Sequence, residues 1–145
     1  MDSKRPFLSK QDPTTRRWAV LDDDGDSAWL LVTETESRKP VADCFVYNCR
    51  PPEPFLPTGW DRSRPPPILT QFASDTAYYP GITESRIRIH WEEGGVAAAV
   101  FVDGRPVAFL LVGEKLGYSR GIATDGPYGH PWNETRFAEV FDAGK

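Results

Sequence analysis

Cysteine, histidine and methionine are scarce in this chain, and each scarcity excludes something. Its 145 residues hold two cysteines, Cys44 and Cys49, two histidines, His90 and His130, and one methionine. Two thiols make no disulfide framework, and five residues apart on an extended strand they point to opposite faces. Both are therefore expected as free thiols in a reducing, cytoplasmic setting. Zinc sites draw their ligands from close pairs such as C-x2-C or H-x3-H, and neither spacing occurs. A Gly-rich phosphate loop, G-x-S-x-G and H-E-x-x-H are missing too. The stretch Gly117-Tyr118-Ser119-Arg120-Gly121 reads as a turn. No catalytic residue, metal or cofactor is expected. No apolar run reaches the roughly 18 residues of a membrane helix. The opening MDSKRPFLSKQDPTTRR also lacks the apolar centre of an export signal. A formal charge of −4 and a pI near 5.2 weigh against nucleic acid or an anionic membrane as partner.

What remains is a chain long enough for one closed core, with 39% apolar residues and five tryptophans. The division expected is a loosely docked lead-in over 1–16 and a single domain over 17–145. Strands with tight turns dominate it. VAAAVFVDGRPVAFLLV (96–112) places two β-prone runs around Asp103-Gly104, a strong hairpin signal. A two-residue turn sets Val102 opposite Arg105, Val100 opposite Val107 and Ala98 opposite Phe109. The other face carries Ala97 with Leu110, Ala99 with Ala108 and Phe101 with Pro106. Both faces are apolar, so both need covering. Pro106 has no N–H to offer, which makes its surroundings an edge or a bulge.

SRIRIHW (85–91) alternates, with Ile87, Ile89 and Trp91 on one face and Arg86, Arg88 and His90 on the other. ADCFVYNC (42–49) reads as a further strand. NETRFAEVFDAG (133–144) has a helix pattern: Asn133 as N-cap, Phe137, Val140 and Phe141 on one stripe, Gly144 as stop. Between 51 and 67 lie seven prolines, a density that forbids helix and central strand and leaves a surface loop. The fold expected is mainly β (α+β), an antiparallel sheet of hairpins with the C-terminal helix packed on it.

WAVLDDDGDSAWLLVT (18–33) sets four aspartates and a glycine between two apolar runs. A calcium EF-hand loop places oxygen ligands first, third and fifth, glycine sixth and a bidentate glutamate twelfth. Counting from Asp22, the sixth residue is Ser27 and the twelfth Thr33, so the stretch is a hairpin turn. Paired across a two-residue turn, Asp23 and Asp26 would repel, and a longer loop relieves this.

Two surfaces carry recognisable chemistry. Arg86, Arg88 and His90, beside Tyr78 and Tyr79, could clamp a carboxylate or phosphate. Trp60 in the proline loop, with Tyr128, His130 and Trp132 in DGPYGHPWNE (125–134), could anchor a partner. Packing of Trp132 under the last helix is the plainer account of that residue.

WAVLDDDGDSAWLL, ADCFVYN, IHWEEGGVAAAVFVDGRPVAF and GYSR, taken in order, resemble a small bacterial family of unknown function. In it an acidic Asp-Gly hairpin, a strand ending Tyr-Asn and a Trp-led hairpin recur. The resemblance spans roughly residues 17–50 and 86–120 and implies a fold, with no catalytic residues to carry over. The expectation is a non-enzymatic module binding a protein partner, as an immunity protein binds its toxin. The alternatives are a small anionic-ligand binder using Arg86, Arg88 and His90, or an enzyme with an unrecognised site. A homodimer through an apolar sheet face is also open.

Overall fold

The computed structural model describes residues 5–142. They form two sheets. In the first, β1 (Phe7–Gln11), β2 (Trp18–Asp23), β3 (Ser27–Thr33) and β4 (Pro40–Asn48) lie side by side in sequence order, each antiparallel to the next. In the second, β5 (Ile87–Trp91), β6 (Ala97–Val102), β7 (Arg105–Leu111) and β8 (Tyr118–Ser119) continue the same pattern. There β9 (His130–Pro131) adds a parallel edge to β8. The helix α1 (Glu134–Phe141) closes the chain.

The sheets face each other across a shared apolar core. Leu21, Leu30, Val32, Cys44 and Val46 of the first sheet share one core with Ile87, Ile89, Trp91, Val100 and Leu110 of the second. Where the sheets meet at their sides, backbone groups stitch them together. The Asp43 N–H donates to the Lys115 carbonyl at 3.1 Å, and the Gly117 N–H donates back to the Asp43 carbonyl at 3.3 Å. On the opposite side β1 lies along β5. There the Trp91 indole N–H donates to the Lys10 carbonyl at 2.9 Å, and Lys10 Nζ reaches the Ile89 carbonyl at 3.5 Å.

The lead-in expected over 1–16 is therefore cut short, because residues 7–11 are a strand. A turn over 12–17 folds them back onto β2: the Asp12 carboxylate accepts from the Thr15 N–H at 2.7 Å and the Thr15 hydroxyl at 2.9 Å. Only Leu8 of β1 packs against the core, which is why FLSKQ shows no apolar alternation.

The 96–112 hairpin forms with its two-residue turn, and Asp103 and Gly104 both have positive φ, as a type I′ turn demands. Val102 pairs with Arg105 and Phe101 with Pro106 as expected, but the register then slips, and Val100 opposes Ala108 instead of Val107. A bulge follows the proline, whose missing N–H weakens the ladder there. The slip moves Phe109 opposite Ala99, onto the outer face. That face is covered by α1, whose Phe137 and Phe141 rings stand 5.5 and 6.0 Å from Phe109. This outer face of the second sheet is thus covered around Phe109 from within the chain. Asn133 caps α1, its side chain accepting from the Arg136 N–H at 2.9 Å, while the expected stop at Gly144 lies outside the described residues.

Candidate functional site

The acidic turn between β2 and β3 helps position the proline loop. Asp23 pairs with Ala28, so the turn has four residues and Asp23 does not face Asp26. The Asp24 N–H donates to the Ser27 carbonyl at 3.1 Å. Its carboxylates are met by arginines: Arg50 stands 3.1 Å from Asp26, and Arg64 of the proline loop bonds Asp26 and lies 3.3 Å from Asp24. Arg64 also lies over the Trp60 ring at 4.7 Å. Prolines donate nothing, but their carbonyls accept. Trp29 Nε1 donates to the Pro66 carbonyl at 3.2 Å, and the Tyr128 hydroxyl donates to that of Pro67 at 3.0 Å. The irregular loop is thus tied down at several points, with Phe55 left 80% exposed.

Beneath the turn, Asp23 is buried and accepts from Tyr47 Oη at 2.7 Å, Cys49 Sγ at 3.1 Å and the Gly25 N–H at 2.9 Å. Burial, reinforced by the Asp23 carboxylate, pushes the Tyr47 phenol and the Cys49 thiol far up. Burial does the same to Cys44. Both cysteines are free thiols held in the neutral form, poor nucleophiles. Among the described residues, no three His, Cys, Asp or Glu side chains group so as to hold a metal ion.

The residues singled out from sequence are divided among different places. Tyr128 is not an exposed contact residue. It is 4% exposed, packed with Trp29, Phe45 and Phe72 on the outer side of the first sheet. Trp132 packs 5.3 Å from Phe109 and 5.1 Å from Phe137, with the Arg120 guanidinium over its other side at 4.0 Å. His130 Nδ1 lies 2.5 Å from Asp125 Oδ1, its ring beside Tyr118. Trp60 is half-buried, and its indole N–H has no partner among the described residues.

The basic stripe also splits. Arg86 precedes β5 in a 3-10 turn (Glu84–Arg86), and its Nε and Nη2 grip the Asp103 carboxylate at 3.0 and 2.7 Å. Arg88 and His90 stay on β5 and face a different opening. A trough of about 510 Å³ runs along the seam of β1 and β5, lined by Leu8, Lys10, Ile87, Arg88, His90 and Phe101 among others, with no carboxylate in its lining. Arg88 forms no salt bridge among the described residues, whereas His90 packs against Phe101 and Phe141 at 6.1 and 6.0 Å. Lys10 escaped the sequence reading because its segment lacked strand alternation.

Arg86 instead lines a second cavity of about 460 Å³ with Tyr78, Tyr79, Val102, Asp103, Arg105 and Val107. Here the sequence pairing of Arg86 with Tyr78 and Tyr79 is realised. Arg105 was missed. Its place directly after Asp103-Gly104, on the same turn as the carboxylate that holds Arg86, was the available signal. No helix among the described residues is long and apolar enough to cross a membrane. No family model matches the chain, and no curated protein or solved structure matches it.

Proposed function

We propose that this chain is a non-enzymatic binding module that takes an acidic, extended protein segment along the trough between β1 and β5. The observation that carries this reading is local charge reversal. The chain as a whole carries −4, yet the two cations Lys10 and Arg88 line one trough, beside the His90 ring, with no carboxylate in its lining. Leu8, Ile87 and Phe101 add apolar ground between the cations. Alternating acidic and apolar side chains on an extended segment match such a lining. Rim cations of this kind speed encounter and select the sign of the partner. The non-enzymatic part of the reading rests on the chemistry-bearing groups being engaged in structure: Cys49 and Tyr47 on Asp23, His130 on Asp125, Arg86 on Asp103.

The test is fluorescence anisotropy with two labelled peptides of equal length, one alternating Glu and Leu, the other Lys and Leu. The Glu peptide should bind, more weakly as salt rises, and Arg88→Glu should weaken it by about tenfold or more. Equal binding of the Lys peptide, or no binding of either, overturns the proposal.

A further inference from the structure

The second cavity, away from the trough, combines a rigid aromatic wall with an arginine that has no salt-bridge partner. Tyr79 is fixed from both ends. Its N–H donates to the Asn48 carbonyl at 3.0 Å, and its ring stacks on Tyr47 at 5.3 Å with the planes 6° apart. Tyr47 is itself held through its hydroxyl by Asp23. Tyr79 Oη has no hydrogen-bond partner among the described residues, so its O–H is available to a ligand. Tyr78, 39% exposed, stands beside it, and Val102 and Val107 supply an apolar surface.

The charges around this surface are unequal. Arg86 and Asp103 neutralise each other through two hydrogen bonds. Arg120 is engaged elsewhere: its Nε donates to the Pro106 carbonyl at 2.7 Å, and its guanidinium sits over Trp132, 3.6 Å from Glu134. Arg105 forms no salt bridge among the described residues. The lining therefore holds two guanidiniums, Arg86 and Arg105, and one carboxylate, Asp103, which leaves one positive charge uncompensated. Burial pushes the Tyr79 phenol up, with Arg105, Arg120 and Arg86 pulling the other way, and the group stays a neutral O–H donor at neutral pH.

From this geometry we infer that the cavity binds a small aryl anion, an aromatic carboxylate or aryl phosphate. Its ring lies against Tyr78, Val102 and Val107, and its anionic group is held by the Arg105 guanidinium and the Tyr79 hydroxyl. A volume of about 460 Å³ suits a small molecule, with apolar walls and a few convergent polar groups of the usual kind. A guanidinium matches carboxylate and phosphate equally in fork geometry, so the shared chemistry is an oxyanion on a flat apolar body.

The experiment is an NMR titration of the full chain with four probes: benzoate, phenyl phosphate, inorganic phosphate and benzyl alcohol. At least one aryl anion should shift the Tyr79 and Arg105 amide signals, with affinity of about millimolar order for so small a probe. Inorganic phosphate and benzyl alcohol should each bind more weakly, because each lacks one half of the ligand. Arg105→Gln should weaken the aryl anion by about tenfold, the loss of a charge-assisted bond, and Tyr79→Phe should weaken it less. Arg88→Gln in the trough should leave it unchanged. Unshifted signals, retention of affinity in Arg105→Gln, or inorganic phosphate binding as well as phenyl phosphate would overturn the inference. The anisotropy assay on the trough reads independently of all three.

Discussion

Truncating Phe109 to alanine removes the central ring of the aromatic layer between the second sheet and α1. Phe109 is fully buried. Its ring stacks on Tyr118 at 4.7 Å and meets Trp132, Phe137 and Phe141 edge-on at 5.3, 5.5 and 6.0 Å. Four aromatic neighbours held by a strand, a loop and a helix cannot all collapse into one gap, so a cavity should persist. The cost should lie near the upper part of the range for such truncations, about 3–5 kcal/mol. Urea unfolding should show a midpoint lower by about 2 M, taking a slope of about 2 kcal/mol per molar. The same variant separates the two registers of the hairpin. Had Phe109 opposed Ala98 on the inner face, its loss would not touch Trp132. With 5-fluorotryptophan incorporated, the fluorine signal of Trp132 should move in Phe109→Ala while that of Trp29, across the protein, stays in place. An unchanged midpoint, or a stationary Trp132 signal, would refute the placement of Phe109 under the helix.

Further expectations follow from other close contacts and buried groups. A Cβ on Gly117 would meet the Phe109 carbonyl oxygen at 2.5 Å, Leu110 Cβ at 2.7 Å and Cys44 Cβ at 2.9 Å. Gly117→Ala should therefore cost about 1–3 kcal/mol by denaturant unfolding. Gly113→Ala meets nothing within 4 Å and should change stability by no more than about 0.5 kcal/mol. Burial holds the half-buried Asp43 carboxyl above its ordinary value of 3.8, so the folded chain binds that proton more tightly than the unfolded one. Its contribution is favourable at low pH and declines as pH rises from about 4 through the raised value. Asp43→Asn should thus raise the melting temperature at pH 7 and flatten that part of the stability–pH curve; a lower melting temperature at pH 7 would contradict the sign. Mass spectrometry under non-reducing conditions should show no bridge between Cys44 and Cys49, and maleimide should label buried Cys44 only on unfolding. Calorimetry should show no sub-micromolar calcium binding at Asp22–Asp26, since Arg64 and Arg50 already hold the Asp24 and Asp26 carboxylates.

Several parts of this molecule were legible residue by residue because their cause is local. Asp103-Gly104 turns the chain because two consecutive positive φ values are cheapest there, and neighbouring β-prone runs then have to pair. Asn133 caps α1, and Phe137 and Phe141 share its half-buried, sheet-facing stripe through spacing alone. Ile87, Ile89 and Trp91 face the core because alternation leaves them no other side. Other parts depend on what meets what. FLSKQ becomes a strand through backbone pairing with β2, which needs no apolar side chains and leaves no pattern to read. The slip after Pro106 was foreseeable as a bulge, yet its direction, and with it the side on which Phe109 lies, was settled by the α1 aromatics waiting on the outer face. Tyr128 looked exposed in its Gly/Pro loop and is buried because the loop folds over Trp29 and Phe45, which are remote in sequence. The stripe Arg86, Arg88, His90 was continuous along the chain and came apart in space. Arg86, just before β5, lies opposite Asp103 and lines a cavity with Tyr79, while the strand keeps Arg88 and His90 beside Lys10. Turn stereochemistry and side-chain alternation act within a few residues, so the sequence alone determines them. Which cations share a cavity depends on contacts between distant segments, and only the packed tertiary structure decides that.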